Sequence, residues 1–563
     1  MLMMHPKRSF RGPAFHVVGA IILAAVILGL LLLLWPKKAG AQTAAARSVV
    51  IVVLKGNDTL VVERIQRTAR TVSAVIGGPG QPLLSLEYSL GADHRVAAMS
   101  FSVQGLNAPA GAPPLQHGTL ELVRDSAFLS IMAGGQTRNL RLGTQPGALP
   151  VSNNDLVTME QAIRIARAAK VTSLDVPLFA LASGQTLQGR LELISFGGDS
   201  ARFSVAGNVT TMSIDADGNV TGGEVAAQGV RIVVLEGEAA ARVSFGRADY
   251  SAPAGAPYVA EEVTVKTLAG HSLSGTLTLP RAESTALGAR AGGAPKSKLP
   301  AVVTITGSGL QDRDEFIPVA GGFRFFRQVA DTLSRRGIAV LRLDDRGVGG
   351  SGGDINGTSA DFADDIRAAV AYLRTRPDID PARIALVGHS EGGIIAPMVA
   401  AKDPRLAAVV LMAGTAYTGR KIIDYQLENS VRGNSKLTEA NRDSMVKAIR
   451  ASFATTEAKA PWMQYFLTYD PLPTVRLVKQ PVLILQGATD QQVRAEEARE
   501  LDRALRAAGN KRVTLEIFPD RNHLFLRDSD GHPSGYAQLK DGKVDGEVLG
   551  KLADWLVTTL KAR

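Results

Sequence analysis

The sequence predicts a mostly parallel α/β fold over residues 251–563, with helices on both faces of the sheet. A β-rich unit over 47–250 and an N-terminal hydrophobic helix precede it. Three observations predict this arrangement. Compact Val/Ile/Leu strands alternate with helical stretches from about Tyr258 onward. Short β-prone runs broken by Gly, Pro and Asn/Asp fill the region before it, and one long apolar run lies near the N-terminus. A chain of 563 residues is also too long for one ordinary domain.

The apolar run comes first. Val17 to Trp35 is 19 residues without a polar side chain, preceded by Lys7, Arg8 and Arg11 and followed by Lys37 and Lys38. About 18 such residues suit a membrane-spanning helix. Ala39-Gly40-Ala41 before Gln42, however, is a small-x-small cleavage pattern. Residues 1–46 therefore read as a membrane anchor or a signal peptide. Because a basic N-terminus stays inside, both readings send the rest of the chain out of the cytoplasm. It would be anchored in an inner membrane and face the periplasm, or be periplasmic or secreted after cleavage.

Within 47–250, strands are expected at Ser48–Leu54, Leu83–Tyr88, Arg95–Val103, Thr119–Val123, Thr186–Ile194, Ala201–Val205, Val209–Ile214 and Arg231–Leu235. A helix is expected over Leu156–Ala169, where Met159, Ala162, Ile163, Ile165 and Ala166 recur at helical spacing. The stretches 86–101 and 212–225 share a strand–turn–strand pattern that hints at a duplicated β unit. Asp215-Ala216-Asp217-Gly218-Asn219 lacks the closing glutamate of a calcium loop and reads as a tight hairpin turn. Nothing in this region names a chemistry.

In the second region, strands are expected at Glu262–Thr267, Ser272–Leu279, Ala301–Ile305, Ile338–Leu343, Ile384–Val387, Ala408–Met412, Val482–Leu485 and Val513–Phe518. Helices are expected near 323–336, 360–375, 393–401, 495–508 and 547–561. Near-continuous apolar strands between helices imply a parallel sheet covered on both faces. Ligands of such sheets bind beyond the carboxyl ends of the strands.

Composition removes several classes. There are no cysteines, hence no disulfides, no thiolate metal sites and no cysteine nucleophile. Only eight histidines are present, none paired at ligand spacing, and no metal or cofactor is expected. Of the formal charge of +10, half lies in residues 1–38. The remainder forms no basic stripe interleaved with aromatics, so no nucleic acid is expected as a partner.

The chemistry concentrates at three strand ends. Gly388-His389-Ser390-Glu391-Gly392 follows one strand and opens a helix, the strand–turn–helix setting in which G-x-S-x-G lifts a serine above a sheet. A serine hydroxyl needs a base to remove its proton. Asp490 lies in the loop after Val482–Leu485. His523 follows Val513–Phe518, ahead of the more distant His532. Ser390, Asp490 and His523 are thus the expected nucleophile, acid and base; Asp520, in the base's own loop, competes for the acid. The backbone N–H of Glu391 and that of Ser308 or Gly309, in the small-residue loop Thr306–Leu310, are the expected oxyanion donors. The loop 344–352 lacks the surroundings of a nucleotide site and reads as a tight loop at the rim of the site.

At these residues the chain resembles bacterial α/β-hydrolases of the carboxylesterase group that borders the prolyl-oligopeptidase and proline-iminopeptidase families. The matching stretches are Gly307-Ser308-Gly309 with Asp312-Arg313-Asp314-Glu315, Asp344-Asp345-Arg346-Gly347-Val348-Gly349, Asp361-Phe362 with Asp365, and Gly388–Gly393. They continue through Ile394-Ile395-Ala396-Pro397, Leu485-Gln486-Gly487 with Asp490, and Asn522-His523. The resemblance covers about 255–563 and implies an α/β-hydrolase fold and hydrolysis of a small-molecule carboxylic ester. It also implies a small helical cap in Thr415–Gln480, where Trp462, Tyr465, Phe466 and Tyr469 either line a pocket or pack on the core. Two alternatives stay open. An exopeptidase would hold its substrate's amine with acids such as Asp424 or Glu428, and an envelope-binding protein would carry a vestigial hydrolase. A membrane partner follows only if the leader stays uncleaved, and oligomeric state is unread.

Overall fold

The computed structural model describes residues 47–562 apart from 105–113, 282–297, most of 433–460 and a few shorter stretches. The expected N-terminal helix lies outside the described residues. Among those described, no helix is long and apolar enough to cross a membrane.

Fifteen strands between Arg47 and Leu235 form one sheet. Its middle strand is the first in the chain, Arg47–Lys55, flanked by Asp58–Arg67 and by Val230–Leu235. All neighbouring strands run antiparallel except Leu149–Val151, which lies parallel to Ser173–Ala180. Antiparallel sheets can leave one face in water, and the strands alternate accordingly. In Gln185–Leu193, for instance, Leu191 and Leu193 are buried while Arg190 and Glu192 are exposed. The stretches 86–101 and 212–225 are both hairpins of this sheet. In the latter turn, Gly218 sits at φ 76 and the Asp215 carboxylate accepts the Asp217 and Asn219 N–H groups at 3.0 and 2.8 Å.

The helix Val157–Ala168 buries Val157, Ala162, Ile163 and Ala166 against Leu86, Phe101, Leu178 and Phe203 from both halves of the sheet. Carboxylates meet its first turn, where backbone N–H groups lack intrahelical partners. Asp155 accepts the Val157 N–H at 2.9 Å and Glu63 accepts that of Leu156 at 3.2 Å. The Tyr88 hydroxyl donates to Asp155.

The second sheet has eight strands, here β1 (Tyr258–Lys266), β2 (Ser272–Pro280), β3 (Leu299–Ile305), β4 (Ala339–Leu343), β5 (Ile379–His389), β6 (Ala408–Met412), β7 (Val482–Gly487) and β8 (Val513–Phe518). Their spatial order is β1-β2-β4-β3-β5-β6-β7-β8. The β1–β2 and β2–β4 pairs are antiparallel and all others parallel. The helices are α1 (Phe325–Ser334), α2 (Ser359–Thr375), α3 (Gly392–Ala400), α4 (Gly419–Arg432), α5 (Pro461–Thr468), α6 (Leu472–Val475), α7 (Ala495–Ala507) and α8 (Gly546–Leu560). Two cores sandwich the sheet: α2, α3 and α7 pack on one face, α1 and α8 on the other. That arrangement leaves the carboxyl ends of β3 to β8 as the open rim.

The described part of the cap is α4 with α5 and α6. Trp462 and Phe466 stack with ring centroids 5.1 Å apart, are buried and join the core. Of the two readings left open for the cap aromatics, these two rings take the packing one. The first sheet ends at Leu235 and the second begins at Tyr258. Between them Tyr250 already belongs to the second unit's surroundings. Its hydroxyl donates to Asp312 at 3.1 Å, and the Arg313 guanidinium lies 4.1 Å from its ring centroid.

Candidate active site

Gly388-His389 ends β5 and Glu391 precedes the first residue of α3, so Ser390 occupies the turn between them. Its φ of 54 is left-handed, a conformation that costs a non-glycine residue of order 1–3 kcal/mol and concentrates at functional sites. The turn is possible because Gly388 and Gly392, two residues to either side of the serine, lack side chains. A Cβ on Gly388 would stand 2.1 Å from the Gly392 carbonyl oxygen, and one on Gly392 would stand 2.2 Å from that of Ile305. The Ser390 N–H is held by the Met412 carbonyl at 2.9 Å, fastening the elbow to the end of β6.

Asp490 stands three residues past β7, and His523 five past β8. The two are brought together: His523 Nδ1 lies 2.8 Å from Asp490 Oδ2. A carboxylate accepts, so Nδ1–H donates and Nε2 is left with its lone pair. Asp490 Oδ2 also accepts from the Gln486 amide at 2.9 Å, and Oδ1 accepts the Gln492 and Val493 N–H groups at 2.8 and 2.9 Å. Three donors from the two ends of its own loop, with His523 as a fourth, fix the plane of this carboxylate. The His523 ring centroid is 4.9 Å from that of His389, the residue just before Ser390. His532 and Asp520 make other contacts: the His532 N–H donates to Asp530, and the Asp520 carbonyl accepts from Asp528.

The loop after β3 passes beside the serine. A Cβ on Gly307 would come within 3.2 Å of Ser390 Cβ. The Gly307 N–H donates to Glu315 Oε1 at 2.9 Å and the Gln311 N–H to Asp345 Oδ2 at 3.0 Å. Ser308 and Gly309, the latter at φ 104, lie between these two anchored points. Gly307, Gly309 and Glu391 line one cavity together with Asp344, Asp345 and Arg346. The loop 344–352 thus does reach the rim of this cavity.

The segment 312–315, quoted above only for its resemblance, is a run of buried charges. Asp312 receives Arg324 at 2.9 Å, and Asp314 receives Arg342. Arg313 Nη2 donates to Asp344 and Ser274, both at 2.9 Å, and its Nη1 reaches Glu262 and Thr276 at 2.7 Å. Glu315, at φ 53, meets His389 Nδ1 at 2.7 Å. Two further acids line the cavity. Burial pushes the Asp345 carboxyl well above its usual range, and the donors Gln311 and Thr306 offset this only in part. Burial also raises the Glu391 carboxyl, against hydrogen bonds from Ser359, Trp462 and Ser308. The Ser359 hydroxyl and the Trp462 indole N–H lie 2.6 and 2.8 Å from Glu391 Oε1. Sequence reasoning assigned no role to Glu315, His389, Asp345 or the Glu391 side chain. The one signal available was the unusual density of charge in 312–315 next to a strand end.

The prolyl oligopeptidase family model matches residues 324–541. This is an α/β-hydrolase domain akin to that family. Among curated relatives, the uncharacterized peptidase YuxL of Bacillus subtilis is 27% identical over 227 residues, 38% of this chain and 30% of that protein. The thiohydrolase apmlB of Arthrinium phaeospermum is 40% identical over 105 residues, 17% of this chain and 33% of that protein. The chain spans about a third of the length of the curated relatives it matches. Among solved structures, an esterase of Pyrococcus furiosus is 18% identical, covering 56% of this chain and 94% of its own, with a TM-score of 0.38.

Proposed function

We propose that the chain is a serine hydrolase that cleaves carboxylic esters through an acyl-enzyme on Ser390. The observation that carries the reading is the left-handed Ser390 elbow between two glycines, set at the same sheet rim as the Asp490–His523 pair. In this mechanism His523 Nε2 takes the Ser390 proton as Oγ attacks the acyl carbon. It then returns that proton to the leaving alcohol, while Asp490 stabilises the imidazolium. The Glu391 and Ser308 or Gly309 N–H groups receive the oxyanion. Water then attacks the acyl-enzyme with His523 again as base, releasing the acid.

Ester rather than peptide cleavage is supported by the acids nearest the serine. An exopeptidase needs an open carboxylate for its substrate's ammonium group. Glu315 is engaged by His389 and Gly307, Glu391 by Ser359 and Trp462, and Asp345 by Thr306 and Gln311. The match to a protein named as a thiohydrolase, rather than a peptidase, points the same way. Exopeptidase action is the second reading, favoured by the family match and the peptidase relative, with Asp424 and Glu428 on α4 as its candidate clamps. The charge pattern around Val17–Trp35 supports a reaction outside the cytoplasm.

The test is pre-steady-state hydrolysis of an activated aryl ester by the full-length chain, beside aminoacyl amides. A burst of alcohol, fluorophosphonate labelling of Ser390, and a loss of about five to six orders of magnitude in kcat in Ser390→Ala are expected. Faster turnover of aminoacyl amides than of simple esters would select the second reading. No burst and no labelling would end the serine mechanism.

A further inference from the structure

We propose that Glu315 and His389 form a buried carboxylate–imidazolium pair that positions both the loop carrying His523 and the loop carrying the oxyanion donors. The proposal rests on the Ser390 reading above and names two positioning residues for it.

The argument begins with what each ring nitrogen of His389 faces. Nδ1 lies 2.7 Å from Glu315 Oε1, and Nε2 lies 3.0 Å from the backbone carbonyl oxygen of His523. A carbonyl oxygen can only accept, and so can an ionised carboxylate. With Glu315 ionised, both nitrogens carry hydrogen, and a ring with two N–H groups is a cation. The ring is 1% exposed, so its charge has no solvent to lean on and depends on Glu315, itself 2% exposed.

One carboxylate oxygen then joins two loops. Glu315 Oε1 accepts His389 Nδ1–H and also the Gly307 N–H at 2.9 Å. Gly307 lies against Ser390 and opens the loop of Ser308 and Gly309. On the other side, His389 Nε2–H holds the main chain of His523. The base and the oxyanion donors are thus referenced to one ion pair directly beneath the nucleophile. The titratable groups facing His389 are Glu315 from the β3–α1 loop, His523 from the loop after β8 and, behind it, Asp490 from the loop after β7. Phe325 and Phe525, with centroids 4.4 and 6.5 Å away, complete an uncharged wall. Burial pulls the His389 pKa down, yet the charge and hydrogen bond of Glu315, together with the His523 carbonyl and the Asp490 charge, more than restore it, and the net direction is up.

Glu315→Gln keeps the shape and the acceptor oxygen but removes the charge. Burial then drives His389 neutral as pH rises, and a neutral ring must turn a lone pair toward one of its two acceptors. The expected result at about pH 8 is a kcat lower by about ten- to a hundredfold with KM within about twofold. That deficit should shrink toward acid pH, so the rate profile gains a descending limb that the wild type lacks. Glu315→Asp, which keeps the charge, should restore the wild-type profile shape. A variant profile parallel to the wild type, or a loss expressed only in KM, overturns the proposal.

A second measurement needs neither activity nor a folded variant at Glu315. In the full-length chain labelled with 15N-histidine, one ring should hold both nitrogens protonated at a pH where ordinary histidines are neutral. The signal should vanish in His389→Gln. If no imidazolium persists, the pair is neutral and the proposal falls, whatever Ser390 labelling shows. If Ser390 is unreactive while the imidazolium persists, the reaction reading fails and the ion pair stands.

Discussion

Asp490 accepts four hydrogen bonds, of which only one goes to His523. Asp490→Asn should therefore keep the loop's shape yet present an amide to His523 Nδ1, favouring the wrong tautomer. A fall of about 10⁴ in kcat with little change in KM is expected, measured on the same aryl ester. Ser390, Asp490 and His523 stand out in the sequence as candidates because each lies just past a short apolar strand, and local pattern alone gives such positions. Glu315 and His389 were not legible as a pair. They lie 74 residues apart, and only the parallel pairing of β3 with β5 brings their neighbourhoods together. In the sequence His389 fills a variable place in G-x-S-x-G, and Glu315 stands only as one residue of a stretch matching the family.

Several strands of the first sheet were not expected, the uncharged Thr71–Gly77 and Ser126–Ala133 among them. Asp58–Arg67 and Gln136–Gly143 mix Arg, Glu, Gln and Asn among apolar residues, and neither was expected as a strand. Ser173–Ala180 contains Pro177, which speaks against a strand because proline has no N–H for the ladder. Its neighbour Leu149–Val151 pairs only with Leu178–Ala180, so Pro177 lies beyond that ladder and its missing donor costs nothing there. The interior of this sheet carries a pH dependence of its own. Burial raises the Asp155 carboxyl to about 6, with hydrogen bonds from Tyr88, Val157 and Thr158 offsetting part of it. The folded pKa exceeds the unfolded one, so the associated stability is full below about pH 4 and is lost as pH rises through about 6. On the order of 2–3 kcal/mol is at stake, at about 1.4 kcal/mol per unit. Urea unfolding of the β-rich unit should show a higher midpoint at about pH 5 than at about pH 7, and Asp155→Asn should flatten that difference.

The connection between the two large units packs onto the second of them at Tyr250. Its ring covers Arg313 and its hydroxyl serves Asp312, two of the four buried charges in 312–315. Tyr250→Ala should destabilise the catalytic unit by about 1–3 kcal/mol by leaving Asp312 short of a donor and Arg313 uncovered. The β-rich unit's own unfolding should hold its midpoint, as followed by urea titration with probes in each unit. The broad architecture was legible because periodicity changes from 2 to a strand–helix alternation near Tyr258. The way the first sheet closes was not, since strand order depends on which distant edges meet.

That closure bears on how the protein is made. Among the described strands, the one that leaves a ribosome first, Arg47–Lys55, is the middle of its sheet rather than an edge. One flank is covered at once by Asp58–Arg67, while the other waits for Val230–Leu235. Until residue 235 has emerged, a row of apolar-backed N–H and C=O groups stays open to any passing strand. Nascent chains halted between these points are the species in which misassembly and chaperone dependence will concentrate.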